Sequence, residues 1–201
     1  HGFETYIETN WTSPVQFNIG NSYGWYTIAN EPFYEIRLAD NLYKVQSGKL
    51  LLKNFPATSY PQSVQAFTIN YQPSYSLRIS YTTLFASRRA ISHDVFRRSD
   101  WVKGNSPTID SWETLYPPVW APNQWISNLF ISKSVQLATQ KSKINIRLTS
   151  SIRNLLNASI PSLIFEQSRY DYKNFILQKF PAKYIYDLGR TYTIGLQLSM
   201  L

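Results

Sequence analysis

The chain of 201 residues contains no cysteine and a single methionine. Without cysteine there is no disulfide framework and no thiolate metal site, although no compartment is identified by that absence. Histidine is scarce as well, only His1 and His93, and no HExxH, GxSxG or phosphate-binding loop occurs. The sequence therefore gives catalysis no support, and neither an enzyme nor a metal or cofactor is expected. No apolar run approaches the roughly 20 residues of a transmembrane helix. The longest candidate, NLLNASIPSLIF, is short and holds Pro161. No signal peptide is visible, and the opening HGFETYIETNW lacks Met and is already in strand-like alternation, as though cut from something longer.

Charge is the other shortage. Charged residues make up 16% of the chain, against roughly 25% in an average soluble domain, and so few charges cover a water-facing surface poorly. The charge that exists is lopsided, net +8, which fits either a nucleic acid or an anionic lipid surface. The basic residues are scattered, and the densest groups, Arg88-Arg89 and Arg97-Arg98, fall in a region of loop composition. Nucleic acid is not an expected partner.

Aromatic residues are abundant: 15 Tyr, 11 Phe and 6 Trp. Together with β-branched residues they favour strands, and the alternation agrees. Phe3, Thr5, Ile7, Thr9 and Trp11 alternate with Glu4, Tyr6, Glu8 and Asn10. Val15, Phe17, Ile19, Tyr23 and Trp25 alternate with Gln16, Asn18, Gly20, Ser22 and Gly24. The same reading gives strands at about 64–72, 75–85, 125–136 and 143–153, and a closing strand from about 190. In that last strand Tyr192, Ile194, Leu196, Leu198 and Met200 form one wholly apolar face, and Thr193, Gly195, Gln197 and Ser199 the other. A hairpin extension is expected around 43–45 and 49–52. Short turns at 12–14, 73–74 and 137–142 alternate with long loops at 27–63, 86–124 and 154–189. That is the signature of an up-and-down antiparallel sheet with all its long loops on one edge.

Two architectures fit this pattern. A soluble β-sandwich would pack the apolar faces together and work as a binding module through its Trp- and Arg-rich loops. Its outer faces would normally carry long charged side chains, however, whereas here the polar faces carry mostly Ser, Thr, Asn, Gln and Gly, and three loops exceed the about 12–15 residues usual in compact domains. The second architecture is an all-β, antiparallel, up-and-down transmembrane β-barrel segment, with strands of about ten residues, apolar outside and polar inside, short periplasmic turns and long extracellular loops. Trp11, Trp25, Tyr71, Tyr75, Trp125 and Tyr192 then sit at membrane–water interfaces. About seven strands are counted. An open seven-stranded sheet would leave backbone groups unsatisfied in lipid, so the remaining strands must come from elsewhere. A complete eight-stranded barrel of structural function is a further alternative, if the 43–52 stretch supplies a strand.

The stretches SKINIRLTSSIRNLLNASI, FEQSRYDY and KYIYDLGRTYTIGLQLSM, with the Asn154–Asn157 Asn-Leu-Leu-Asn motif and Gly189, Arg190 and Tyr192 in a Gly-Arg-x-Tyr pattern, resemble the C-terminal strands of TonB-dependent receptors of the bacterial outer membrane. The opening GFETYIETNWTSPVQFNIGNSYGWY resembles a strand pair further upstream in that family. The likeness covers nearly the whole chain, although such barrels commonly end in an aromatic residue and this one ends Met200-Leu201. The resemblance implies that residues 1–201 are the C-terminal portion of a larger, 22-stranded barrel whose plug domain lies outside the chain. It implies an integral outer-membrane protein for energy-coupled uptake of a large nutrient, of the siderophore, glycan, peptide or cobalamin class. The partners would be the rest of the barrel and the plug, TonB acting through the plug, and outer-membrane lipid and lipopolysaccharide; a surface lipoprotein docked on the loops is a further candidate that the resemblance leaves open.

Within that frame Arg88, Arg89, His93, Arg97, Arg98 and Trp101 are candidates to bind an anionic or polar ligand. Trp112, Tyr116 and Trp120 are candidates to stack on a glycan or peptide. The plainer readings are a solvated or lipopolysaccharide-facing loop and a loop packed on itself. Arg78, Arg147 and Arg153 fall on the polar face, where they would contact the plug or form lumen salt bridges, with Glu4 and Glu8 as available partners. As a carboxylate pair Glu4 and Glu8 would also suit acid–base chemistry, but solvated wall residues are the plainer reading.

Overall fold

The computed structural model describes residues 1–9, 14–37, 44–57, 60–104, 117–138, 143–169, 171, 173–174, 176 and 179–200. Eleven strands and one short helix occur among them: β1 (Gly2–Thr9), β2 (Val15–Gly24), β3 (Phe33–Arg37), β4 (Lys44–Lys49), β5 (Ser63–Ser74), β6 (Leu77–Ser87), α1 (Asp100–Gly104), β7 (Gln124–Ala138), β8 (Lys143–Arg153), β9 (Pro161–Phe165), β10 (Lys183–Tyr186) and β11 (Thr191–Met200). Seven of them form one antiparallel sheet in the order β1-β2-β5-β6-β7-β8-β11. This is the expected up-and-down meander, each strand beside its predecessor in the sheet. The other four strands form two small hairpins, β3–β4 and β9–β10, both inside long connections.

Some boundaries differ from the sequence reading. β5 runs through Pro73 to Ser74, and the turn is Tyr75-Ser76, so Tyr75 stands wholly exposed in the turn instead of opening β6. Pro73 is tolerated because the ladder is already broken by a register shift between Tyr71 and Ser74. The hairpin in the first long connection lies earlier than expected. It pairs Phe33–Arg37 with Lys44–Lys49, and Leu50 and Leu52 go to a buried cluster with Phe55. The β9–β10 hairpin and α1 had no period-2 or helical signal long enough to read.

The register puts most of the apolar residues of the seven strands on one face. The cross-strand row Thr9–Phe17–Ile69–Tyr81–Leu129–Ile152–Tyr192 runs unbroken across the sheet. The opposite face carries Glu4, Asn18, Thr68, Arg78, Ser132, Arg147 and Thr193. It is not uniformly polar: Leu84 and Ile126 face each other there as cross-strand partners. The apolar face is open. Among the described residues no second sheet covers it, and Ile194, Leu196 and Leu198 are 78%, 66% and 66% exposed. The buried apolar side chains lie almost entirely in the long connections, as the clusters Leu50/Leu52/Phe55 and Ile91/Ala121/Ile164. Ala86 is the one that belongs to the seven-stranded sheet.

The sheet is sheared. The row just described starts at the last residue of β1 and ends at the second residue of β11. The long-connection end of the strand lies seven residues beyond the row on β1, Gly2 from Thr9, but one residue beyond it on β11, Thr191 from Tyr192. The strands therefore slip by six residues in six steps. With about 3.3 Å of rise per residue and about 4.8 Å between strands, their ends come level when the strands tilt by roughly 35°.

Candidate functional site

The three long connections meet at one end of the sheet, and polar side chains join them. Ser99 caps α1, its Oγ accepting from the Val102 amide at 3.4 Å, with Asp100 in the first turn. Asp100 also accepts from the Tyr34 hydroxyl at 3.2 Å and from the Lys49 amide at 3.0 Å, tying the second connection to the β3–β4 hairpin. The close approach needs Gly48, where a Cβ would lie 2.2 Å from the Asp100 carboxylate. Just upstream, Asp94 Oδ1 accepts from the Arg97 amide at 2.9 Å, which folds the 94–98 turn so that Arg97 and Arg98 leave in different directions.

Arg98 is fully buried and forms a two-pronged ion pair with Glu166 of the third connection. Nη2 donates to Oε1 at 2.7 Å and Nη1 donates to Oε2. Glu166 Oε2 also accepts from the Asp94 amide at 2.8 Å. The Arg98 guanidinium lies 5.2 Å from the centre of the Phe55 ring, and its carbonyl accepts from the Leu51 amide, so one residue joins all three connections. Arg97 donates to the Arg169 and Phe180 carbonyls, and Arg89 to Pro161 O at 3.2 Å. His93 packs edge-on against Phe55, and its Nε2 meets Pro56 O at 3.0 Å. A carbonyl only accepts, so Nε2 carries the proton.

Burial pushes the His93 pKa below its ordinary 6.5, and the nearby Arg98 charge adds to this, against the Pro56 contact and the Glu166 charge. For Glu166, burial pushes the carboxyl up, but the hydrogen bond and charge of Arg98 and the Asp94 amide together hold it below its ordinary 4.5. Both shifts have the same sign for stability. Each contribution is complete above the ordinary value and is lost as pH falls through the lowered, folded value. The loop assembly should therefore loosen in acid in two stages, one starting below 6.5 and one below 4.5. Hydrogen exchange at the Leu51 and Asp94 amides, normalised to intrinsic rates, reads both. Protection unchanged down to pH about 4 would contradict the linkage.

Of the expected ligand-binding residues, Arg89, His93, Arg97 and Arg98 are thus engaged within the loop assembly. Trp101 is half exposed beside Phe96, ring centres 5.4 Å apart. Trp112 and Tyr116 lie outside the described residues, as does Trp11. Arg88 and Trp120 do come together: the Arg88 guanidinium lies 4.4 Å from the Trp25 ring centre and 5.9 Å from that of Trp120. The sequence reading gave no role to Asp94, which holds the turn through the Arg97 amide, or to Glu166, the counter-ion of Arg98.

On the polar face Arg78, Arg147 and Arg153 fall as expected, but Glu4 and Glu8 are not their partners. β1 is three strand steps from β6 and five from β8. Glu4 accepts from Ser22, and Glu8 from Gln16 at 2.6 Å. Arg78 donates to Asn70 at 3.4 Å and Arg147 to Ser134 at 3.3 Å. Both border a polar hollow of about 300 Å³ shared with Ser132 and Thr149. Among the described residues none of the three arginines takes part in an ion pair.

The aromatic residues divide between the two ends of the apolar face. Trp25, Trp125 and Tyr192 lie toward the long connections, Tyr71 and Tyr75 toward the short turns. Lys133 sits on the apolar face of β7 opposite Leu77 and Leu148, and its Nζ reaches the short turn, donating to Ser76 Oγ at 3.3 Å. The Asn-Leu-Leu-Asn motif is a corner. Asn154 and Asn157 both take positive φ. Asn154 exchanges two hydrogen bonds with Ala158, and Asn157 Oδ1 accepts from the Arg190 amide at 2.9 Å. The corner thereby joins the end of β8 to the start of β11.

No protein-family model, curated protein or solved structure matches the chain. What the site can do follows from its own chemistry. Among the described residues no three His, Cys, Asp or Glu side chains gather as a metal-ligand set. The assembled arginines hold loops in place, and the polar face presents cations to whatever lies against it.

Proposed function

We propose that this chain is a wall portion of a TonB-dependent outer-membrane receptor, with its apolar face in lipid, its short turns periplasmic and its three long connections extracellular. The observation that carries this reading is the sheared sheet, whose predominantly apolar face is uncovered among the described residues. Its stagger of about one residue per strand corresponds to the tilt of roughly 35–45° found in membrane barrels. Lys133 supports it, because a lysine on a lipid-facing strand extends its amine to the interface. So do the two aromatic belts.

β1 and β11 run in the same direction, since seven antiparallel strands separate like from like. Antiparallel closure therefore needs an odd number of further strands, which the rest of a 22-stranded barrel would supply. Uptake of a large nutrient is a property of the whole receptor. This portion contributes wall and loops, and energy from TonB would enter through the plug. A soluble β-sandwich lacks its second layer among the described residues.

Fractionation of the native source, followed by heat-modifiability gels on the detergent-extracted species containing this chain, tests the reading. Extraction with a much larger barrel supports it. A soluble species of 23.4 kDa without detergent overturns it in favour of a sandwich.

A further inference from the structure

The apolar face has a hollow built from its own side chains, directly below the only cation held at its loop-side rim by aromatic rings among the described residues. The hollow is about 330 Å³ and is lined by Ile19, Phe67, Phe85 and Trp125, with Asn21 and Gln65 on its upper side. Asn21, Gln65, Phe85 and Trp125 form one cross-strand row. Tyr23, Ser63 and Ser87 form the next row on this face, about 7 Å nearer the loops. Arg88 follows Ser87 immediately.

The position of Arg88 is over-determined. Its φ of 57° takes it out of the strand direction, and its carbonyl accepts from the Gln62 amide. Its guanidinium is held against Trp25 and reaches the Tyr23 hydroxyl at 3.5 Å. Stacking on indole faces leaves the guanidinium edge and most of its five N–H donors available, and among the described residues no carboxylate pairs with it. The Trp125 indole N–H is already used, donating to Thr83 at 2.7 Å, so this ring offers the hollow an apolar surface.

We propose that Arg88, Trp25 and the hollow below them form a specific site for one anionic, phosphate-bearing lipid. The phosphate sits on the Arg88 guanidinium, Asn21 and Gln65 meet the ester region, and one acyl chain lies in the hollow against Phe67 and Trp125. Charge complementarity selects the headgroup, and the hollow's continuity with the apolar face selects a hydrocarbon chain over a soluble anion. The site rests on the lipid-facing reading of this face.

The test uses the whole outer-membrane protein containing this chain, reconstituted in phosphatidylcholine vesicles. Tryptophan emission is followed as a small fraction of the lipid is replaced by dibrominated phosphatidylglycerol, or separately by dibrominated phosphatidylcholine. The Trp125→Phe variant isolates the contribution of Trp125. The anionic lipid should quench Trp125 at about fivefold lower mole fraction than the zwitterionic one, the gain expected for one basic residue near an anionic surface. Arg88→Gln should abolish that preference and Arg88→Lys should retain part of it. Equal quenching by the two lipids, or a preference unchanged in Arg88→Gln, overturns the site while leaving the lipid-facing reading intact. No quenching of Trp125 by either lipid overturns the lipid-facing reading itself. Quenching by dibrominated phosphatidylcholine in each variant reports that the sheet is still inserted.

Discussion

Arg98→Met should release the three long connections from one another at a cost of about 3–5 kcal/mol, the usual penalty for leaving one partner of a buried ion pair alone. The penalty falls at the loop end. Glu166 would keep its charge in a site where its side chain is 3% exposed, or take up a proton and raise its pKa. Faster exchange at the Leu51 and Asp94 amides and new protease cleavage in the long connections would report the change. The sheet itself should keep its β-sheet circular dichroism, because its ladders run through none of these residues. Adding Glu166→Gln removes the orphaned charge but keeps an acceptor for the Asp94 amide, and should recover half or more of the loss. If Arg98→Met leaves loop exchange unchanged, the ion pair is not what holds the connections.

Leu196→Arg is the sharpest probe of the environment of the apolar face. Leu196 is 66% exposed, so in water the change should lie within about 0.5 kcal/mol of neutral. In the middle of a bilayer the same change on a barrel strand costs about 2–4 kcal/mol. Thr193→Arg, on the opposite face of the same strand, controls for the added charge and should be nearly neutral. Equilibrium unfolding from lipid vesicles gives both values, and equal values for the two variants would remove lipid from the apolar face.

The seven-stranded sheet was legible in the sequence because its signal is local and repeated. Tyr192 to Met200 alternate without error, and the alternation in β1, β2, β6 and β8 is regular enough to fix their faces, although β6 begins and ends two residues later than its pattern indicates. The pattern blurred in β7, where Ser127 and Lys133 interrupt the apolar face. Each has a physical reason visible only in three dimensions: Ser127 accepts from the Tyr81 hydroxyl at 3.1 Å, and Lys133 extends to the turn. The loop assembly was not legible. Arg98 and Glu166 are 68 residues apart, and no period or spacing connects them. The short strands β9 and β10 owe their pairing to the same long-range assembly. Of the arginines named as ligand candidates, Arg89, Arg97 and Arg98 bond within the loop assembly, to partners that no local pattern announces.

The separation of Arg98 from Glu166 also constrains the order of events during assembly. Arg98 lies between β6 and β7, and Glu166 between β8 and β11. Their contact encloses the whole β7–β8 hairpin, so it closes late, after that hairpin has paired and the third connection has emerged beside the second. A charged pair of this kind cannot form inside hydrocarbon and then move through it. In an inserted chain it would latch only after both loops had reached the outer side, and loop protection from exchange would then mark completed translocation.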